Sequence, residues 1–377
     1  MAILEQLLQA AVDRNASDVH IKTNSVPFFR VDGEMIPRKR TLSVDDVHEL
    51  VEEILDGRQQ NDLQEKGEVD LAYATPELGR FRVSVFKQRG TISLVMRRIK
   101  DQIPDFDSLH LPYAVERFAE MTRGLVLITG TTGSGKSTTL ASIINKINQH
   151  RKCHIVTVED PIEFTYDDDK AVINQREISI DTESFSSALK AVMRQDPDVI
   201  LVGEMRDLDT FQAAISAAET GHLVFSTLHT ANATQTIDRI VDLFPSDQQD
   251  QIRSQLSLNL KAIMCQRLLP RASGKGRVPA CEVLMGSPAA LKLIKENRVE
   301  RIPMAIQQGR DAGMQGFNDS LYGLIKAKLI SEETAEEASD NPAELALMMQ
   351  GIELNRMRGG LLGEEKRKPH QGINETM

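Results

Sequence analysis

Residues 130–137 read Gly-Thr-Thr-Gly-Ser-Gly-Lys-Ser, which fits the phosphate-binding pattern G-x-x-x-x-G-K-[ST] at every position. The apolar run 124–129 before them predicts a buried strand, and the apolar spacing of residues 138–149 predicts a helix. In a strand–loop–helix of this kind, backbone N–H groups and the helix N-terminus surround a phosphate. We therefore expect the chain to bind a nucleoside triphosphate. The residues predicted to contact it are Thr131, Thr132, Gly133, Ser134, Gly135, Lys136, Ser137 and Thr138.

Composition restricts the classes of function. The 377 residues, 41% of them hydrophobic, leave room for two or three domains with a sizeable core. A net charge of −10 and an aromatic content of 4% argue against a surface that binds nucleic acid. The three cysteines form no C-x-x-C pair, so we expect a reducing cytoplasmic environment and no zinc site. Neither a signal peptide nor an apolar stretch of about 18 residues occurs, so no direct membrane insertion is expected.

Residues 1–100 are predicted to form a small α+β domain. Two segments have helical spacing, two alternate between apolar and polar residues, and the Asp32-Gly33 pair predicts a hairpin turn. The helices are predicted over about 3–14 and 43–63, short strands over 19–22 and 27–31, and the half-buried strands over 79–86 and 90–98.

After a proline-containing linker at 101–112, the pattern changes to strands that alternate with helices, which predicts an α/β core over residues 113–285. Its predicted strands are continuous apolar runs, as expected for parallel strands buried on both faces, at 124–129, 154–158, 199–202 and 223–228. Residues 286–355 are predicted to be helical. The charged, glycine-rich tail 356–377 is predicted to be disordered.

Carboxylates follow two of these predicted strands. Glu163, in the segment Glu-Asp-Pro-Ile-Glu at 159–163, is predicted to be the general base that orients or deprotonates the attacking water. A solvated acidic loop is the alternative. The strand 199–202 ends in Gly203-Glu204, where an acidic residue usually completes a Mg²⁺ site through water. Gly203 occupies the position where such strands commonly have aspartate, so Glu204 is the predicted acidic residue of the metal site. The second predicted metal-site residue is Ser137, through its hydroxyl.

Two histidines and a set of arginines each have a structural and a functional interpretation. His222 and His229 flank the strand 223–228, where they either sense the γ-phosphate, contact a neighbouring subunit, or serve as hydrogen-bonded structural residues. The arginines lie on the predicted strands of the first domain, either facing solvent or acting in trans on the transferring phosphoryl group. They are Arg82, Arg89, Arg97 and Arg98.

Four motifs in order carry a family resemblance: the loop at 130–137, Glu-Asp-Pro-Ile-Glu-Phe at 159–164, Gly-Glu-Met-Arg-Asp at 203–207, and Ala-Glu-Thr-Gly-His at 218–222 with Thr-Leu-His-Thr at 227–230. The chain resembles the type IV pilus retraction branch (PilT/PilU-like) of the secretion-superfamily ATPases, over residues 1 to about 350. The resemblance implies a PAS-like N-terminal domain and a RecA-like ATPase core. It further implies a cytoplasmic homohexamer, peripheral at the inner membrane, that hydrolyses ATP with Mg²⁺ between its two domains to power pilus disassembly.

The resemblance also implies roles and partners. The implied partners are an inner-membrane pilus platform protein and, for an accessory motor, a second retraction ATPase, with no nucleic acid. By this resemblance Lys136 and Ser137 bind phosphate and Mg²⁺, Glu163 is the catalytic glutamate, and Glu204 is the Walker B acid. His222 and His229 form the histidine box, and Arg82 and Arg97 are the arginines at the site.

One departure separates the chain from the retraction pattern. The family's C-terminal helix typically reads Ala-Ile-Arg-Asn-Leu-Ile-Arg-Glu. Residues 289–296 read Ala-Ala-Leu-Lys-Leu-Ile-Lys-Glu, so Leu291 replaces the first arginine of the pattern. This difference and the segment 313–322 are similar to the accessory, PilU-like branch. The alternatives are an assembly or secretion ATPase, disfavoured because a four-cysteine insertion is absent, a RecA-like nucleic-acid translocase, and a non-catalytic ring scaffold.

Overall fold

The computed structural model describes residues 3–31, 33–99 and 103–351. Spatial contacts divide the chain into two compact units. Unit 1 consists of Met1–Ile103 and Asn148–Asp196, and unit 2 of Pro104–Ile147 and Pro197–Met377. The domain boundaries expected from the sequence stay predictions, and the predicted tail and Asp32 of the predicted turn lie outside the described residues.

The N-terminal part of unit 1 contains helices and an antiparallel sheet whose strands follow the order β3-β2-β1-β6-β5-β4. The elements in chain order are α1 (Ile3–Val12), β1 (Asp18–Lys22), β2 (Phe28–Val31), β3 (Glu34–Pro37), α2 (Val44–Ile54), α3 (Gly57–Lys66), β4 (Glu68–Thr75), β5 (Gly79–Gln88) and β6 (Thr91–Arg98). The two strands predicted at 79–86 and 90–98 are confirmed, while β3 and β4 were not predicted.

Alternation of side chains across the sheet builds the core of this part of unit 1. On β5, Phe81, Val83 and Val85 are buried and Arg82 between them is exposed, because successive side chains of a strand point to opposite faces. The buried face packs with the apolar residues of α1 and α2 in one hydrophobic core. The opposite face therefore presents polar side chains.

The structure corrects one predicted helix. Residues 43–63 were expected to form a single helix, but the chain forms α2 and α3 with a break at Leu55. The Asp56 side chain accepts a hydrogen bond from the Gln59 backbone N–H (2.8 Å), and the Gln59 side chain accepts one from the Asp56 N–H (3.0 Å). This reciprocal capping box starts a new helix. Residues 56–62 contain no apolar side chain, and the Asp56 and Gln59 spacing is a helix-start signal that the single-helix prediction did not use.

The remaining described residues alternate between strands and helices before a helical C-terminal region, as predicted. The elements are α4 (Phe106–Leu109), α5 (Tyr113–Glu116), β7 (Gly124–Thr129), α6 (Lys136–His150), β8 (His154–Glu159), β9 (Val172–Glu177), α7 (Phe185–Val192), β10 (Val199–Val202), α8 (Leu208–Glu219), β11 (Leu223–Leu228), α9 (Ala233–Asp242), α10 (Gln249–Asn259), β12 (Leu260–Pro270), β13 (Arg277–Met285), α11 (Pro288–Lys295), α12 (Ile302–Gln308), α13 (Phe317–Lys326), α14 (Glu332–Ala338) and α15 (Pro342–Met349). Single 3₁₀ turns lie at Arg117–Glu120, Val299–Arg301 and Arg310–Ala312.

The strands of unit 2 follow the order β13-β12-β7-β11-β10. β12, β7, β11 and β10 run parallel, and β13 is antiparallel to β12. Every residue of β7, β10 and β11 is buried, so the predicted α/β core with doubly buried strands is confirmed. In unit 1, β8 and β9 pair in parallel. The carboxyl ends of the four parallel strands of unit 2 therefore meet at one edge.

Asp56→Ala should lower the free energy of unfolding by about 1 kcal/mol, because α3 loses the side chain that accepts from its first turn. Asp56→Asn should have a much smaller effect, since asparagine caps a helix almost as well. Asp62→Ala on the same helix breaks only an exposed pair with Lys66 and serves as the charge-matched control. Urea unfolding followed by circular dichroism measures the difference. Equal losses in Asp56→Ala and Asp56→Asn would contradict the capping role.

Candidate functional site

The loop 130–137 joins β7 to α6, and its glycines set its path. Gly130, Gly133 and Gly135 have φ angles of +147°, +78° and +92°, a region that residues with a side chain rarely adopt. Two of them also touch Gln266 of β12. A Cβ on Gly130 would collide with the Gln266 backbone oxygen, and one on Gly135 would come within 2.8 Å of the Gln266 Nε2. Both conformation and space therefore require glycine at these positions.

Lys136 is a buried cation at this loop, with 8% of the residue exposed. Its Nζ donates to the backbone oxygens of Gly130 (2.9 Å) and Thr131 (3.1 Å). A buried ammonium is stable only when polar or charged partners surround it. The lysine thus holds a positive charge against the start of the loop, where a phosphate chain needs it.

Glu204 follows β10 and binds two side chains of unit 2. Its carboxylate lies 2.7 Å from Arg206 Nη2 and 3.2 Å from His229 Nε2. Burial alone would raise the pKa of Glu204, but the hydrogen bond and charge of Arg206, with the charges of His229 and Lys136, outweigh it and lower that pKa. The carboxylate is therefore ionised near neutral pH, beside the cations that a phosphate site requires.

Strand β11 fixes the end of β10 beside the loop. Thr227 Oγ1 donates to the Gly203 oxygen (2.7 Å), Ser226 Oγ donates to the Val202 oxygen (2.7 Å), and the Met205 N–H donates to the Thr227 oxygen (3.2 Å). These bonds continue the pairing of the two strands past their last paired residues. Glu204 is thereby held at the same edge as residues 130–137.

The two predicted histidines lie at opposite ends of β11. His229 follows the strand at the edge of Glu204, whereas His222 precedes it, and the His222 backbone oxygen accepts from the N–H of Gly124 at the start of β7 (2.9 Å). Six strand residues separate them, about 20 Å along the strand. The His222 Nδ1 lies 2.9 Å from the Ala217 oxygen. His222 is therefore not part of the cluster around the loop of its own chain.

Two cavities in unit 2 flank the loop. The front cavity, about 650 Å³, is lined by Thr131, Thr132, His229, Asp238, Arg239 and Asp242 among others. The rear cavity, about 320 Å³, lies at the other end of the loop and is also lined by Gly135, Thr139 and Gln266. Its lining includes Leu109, Leu111, Thr138, Leu268, Arg277 and Pro279.

Glu163 lies in unit 1, in the loop after β8, and is exposed. The loop contains a cis peptide bond between Asp160 and Pro161. It is anchored by Glu159, whose buried carboxylate accepts from Thr157 Oγ1 (2.7 Å) and whose pKa is raised by burial. A hydrogen bond between this carboxylate and the backbone of Glu163 opposes that rise. The acidic segment is therefore held at its start, and Glu163 projects from it.

Arg82 and Arg97 are directly opposite each other on β5 and β6 of unit 1. Both residues are exposed, with 69% of the Arg97 side chain accessible. Arg97 Nε donates to Asp18 Oδ1 at 2.8 Å, and Arg30 lies 3.8 Å from the other oxygen of the same carboxylate. Burial tends to raise the pKa of Asp18, but hydrogen bonds from Arg97 and Ser17 lower it overall. These residues form a basic row across the polar face of the sheet.

A Mg²⁺ ion at this site would need the nucleotide as a co-ligand. In the part of the chain that the structure describes, no group of three or more His, Cys, Asp or Glu side chains is arranged to hold a metal ion by itself. Magnesium prefers oxygen ligands and usually keeps water while binding substrate phosphates. The Ser137 hydroxyl and the ionised Glu204 are oxygen donors of the required kind, so the residues fit.

No helix within residues 3–31, 33–99 and 103–351 combines the length and apolar character needed to cross a membrane.

Sequence reasoning missed Gln266 and gave Arg206 no role. Arg206 lies inside a quoted motif, two residues after Glu204, so its spacing was an available signal. Gln266 belongs to no motif that the sequence analysis used, and its contact with the loop arises only from strand pairing. The structure thus brings together Lys136, Glu204 and His229 in unit 2.

The chain is similar to known proteins over most of its length. The model of the type II/IV secretion system protein family matches residues 1–350. PilT, the type IV pilus retraction ATPase of Pseudomonas aeruginosa, is 43% identical over 343 residues, which are 90% of this chain and 98% of PilT. PilU, a type IV pilus ATPase of the same bacterium, is 40% identical over 347 residues, 92% of this chain and 91% of PilU.

A solved structure is similar over nearly the whole chain as well. The crystal structure of the pilus retraction motor PilT with bound ADP matches with a TM-score of 0.85 at 44% identity, covering 92% of this chain and 99% of that one. The predicted fold class is therefore confirmed.

Arg206→Gln should raise the pKa of Glu204. Burial raises this pKa, and without the Arg206 charge only His229 and Lys136 still lower it. In the wild type the lowered pKa contributes stability that is present above the ordinary value of 4.5 and lost as pH falls through the lower folded value. In the variant this contribution should be smaller, and its loss should be complete at a higher pH, because the folded pKa lies closer to 4.5. Carboxyl-carbon NMR titration of labelled glutamate measures the shift. Arg123→Gln, at an exposed arginine, is the control, and an unchanged Glu204 titration in Arg206→Gln would contradict the account.

Proposed function

The chain belongs to the type II/IV secretion system protein family, and we propose that it is an ATPase that powers type IV pilus retraction. The observation that carries the proposal is the meeting of a complete phosphate loop, buried Lys136 and ionised Glu204 at one sheet edge. The relative named as a retraction ATPase shares 43% identity over 98% of its own length. Near-complete coverage supports a shared function more strongly than a common fold alone does.

ATP is proposed to lie along the loop from the rear cavity to the front cavity. Leu109, Leu111 and Leu268 give the rear cavity the apolar lining that suits a nucleobase. The backbone N–H groups of the loop and Lys136 bind the phosphates. The γ-phosphate then faces the front cavity beside His229, which supports this histidine as its sensor.

The remaining roles are proposed as follows. Mg²⁺, held by Ser137 and Glu204 with the phosphates, supplies positive charge where negative charge develops. Glu163 takes the proton of the attacking water. Arg82 and Arg97, on the exposed basic row, stabilise the transferring phosphoryl group of a second subunit, where charge-assisted bonds from arginine are strong. His222, remote from its own loop, is proposed to contact a neighbouring subunit.

The proposed assembly is a cytoplasmic homohexamer that acts at the inner-membrane pilus platform protein. Residues 1–100 form its PAS-like domain, 101–112 the linker, 113–285 the ATPase core and 286–355 the helical region. Leu291, half-buried in α11, stands where the retraction pattern has arginine. This supports an accessory role beside a second retraction ATPase.

Lys136→Ala should abolish ATP binding, because a buried cation that faces the phosphates is lost. Glu163→Gln should bind ATP normally and lose at least about a hundredfold in turnover, since the amide cannot accept the proton. Calorimetric binding and phosphate release measure the two effects. Gln251→Met, at an exposed glutamine of α10, is the control. Wild-type hydrolysis rates in both site variants would contradict the assigned site.

The direction of transport has a separate test. Cells whose only copy contains Lys136→Ala should display more surface pili than the wild type and twitch less, because fewer of the pili that are built are withdrawn. Electron microscopy and a motility assay measure both. Fewer pili than the wild type would mean that the protein powers assembly instead.

A further inference from the structure

We propose that Gln266 is a positioning residue of the phosphate loop, a role that rests on the proposed nucleotide site. Gln266 is buried, with 3% exposed, and lies on β12 next to β7. Cys265 is paired with Thr129, the last residue of β7, so Gln266 is level with the start of the loop. The side chain is therefore placed by strand pairing, independently of the loop itself.

The Gln266 amide joins two separate parts of the loop region. Its Nε2 donates to the Ser134 backbone oxygen (2.8 Å), and its Oε1 accepts from Thr139 Oγ1 (2.8 Å). A carbonyl oxygen can only accept, so the NH₂ group must face Ser134, and the Thr139 hydroxyl donates to the remaining oxygen. The oxygen and the nitrogen of the amide therefore each have a hydrogen-bond partner, and the orientation of the amide is fixed.

The bond to Ser134 sets the direction of a phosphate-binding group. In a planar trans peptide the C=O of Ser134 and the N–H of Gly135 point in opposite directions. By holding the Ser134 oxygen toward β12, Gln266 turns the Gly135 N–H away from β12 and toward the hollow of the loop. Gln266 also lines the rear cavity, but its amide hydrogen bonds to Ser134 and Thr139 give it the separate role of orienting a donor for phosphate.

The opposite face of β12 is anchored to the helical region of unit 2. Arg267 donates to the Ala338 oxygen (2.6 Å) and to both carboxylate oxygens of Asp340 (2.7 and 2.9 Å). Its guanidinium carbon lies 3.8 Å from the centre of the Phe317 ring. Neighbouring strand residues point to opposite faces, so Arg267 fixes the strand while Gln266 fixes the loop.

Glutamine alone among similar side chains meets these requirements. Glutamate has the same shape but cannot donate to Ser134, and its charge opposes a bound phosphate. Methionine has similar length and neither donor nor strong acceptor. Without the amide the loop relaxes, and binding must restore its shape. Because binding must then also reorder the loop, affinity for the nucleotide should fall by roughly tenfold.

The experiment measures the Kd of a fluorescent ADP with Mg²⁺, the KM and kcat for ATP, and the melting temperature without nucleotide, in the full chain. In Gln266→Met, Kd and KM should rise about tenfold while kcat stays within about threefold, since ground state and transition state lose the same interaction. Gln266→Glu should raise Kd further. Gln251→Met again serves as the control and should match the wild type.

A second variant keeps the test decisive if Gln266→Met fails to fold. Thr139→Val removes the hydroxyl that orients the amide at nearly constant shape, and it should raise Kd about threefold. The double variant should bind no worse than Gln266→Met alone, because both changes remove one unit. Kd values within twofold of the wild type in the folded variants, with or without a lower melting temperature, would overturn the positioning role. A wild type that binds ADP without hydrolysing ATP would overturn the proposed function but leave Gln266 to be judged by Kd.

Discussion

Parallel pairing of β7 with β11 on one side and β12 on the other places three carboxyl ends at a single edge of unit 2. Residues 130–137 follow β7, the middle strand. His229 follows β11, and Gln266 lies on β12. β10, paired to β11, brings Glu204 to the same edge. None of these side chains is close to the others in sequence, so their proximity depends entirely on the register of buried strands. A one-residue slip would turn Gln266 to the opposite face.

Charge balance at this edge explains why its residues occur together. Lys136 is 8% exposed, and the Glu204 side chain 19% exposed, so neither ion has full access to water. Removing an ion from water costs several kcal/mol unless partners compensate. Backbone oxygens surround the lysine, and Arg206 with His229 surrounds the carboxylate. Such costly ionised groups, gathered in one cleft, are typical of functional sites rather than of structural cores.

Much of this arrangement could be predicted from sequence, for identifiable reasons. The runs 124–129, 199–202 and 223–228 are mostly apolar and matched β7, β10 and β11 closely. β12 was missed because a short apolar run directly after a helix, here 262–265, does not distinguish a strand from more helix. The predicted strand 223–228 already placed His222 and His229 at its two ends, and the rule that carboxyl ends line the site could have separated their roles. Residues 148–196 group with the N-terminal residues through spatial contacts, which no composition change indicates.

A structure of the chain with a non-hydrolysable ATP analogue and Mn²⁺ in place of Mg²⁺ tests the central claim most directly. Anomalous scattering would locate the metal independently of the nucleotide. The account predicts phosphates enclosed by residues 130–137, the base in the rear cavity, and a manganese peak beside the Ser137 hydroxyl on the side of Glu204. A nucleotide bound elsewhere, or a metal remote from both oxygen donors, would contradict it.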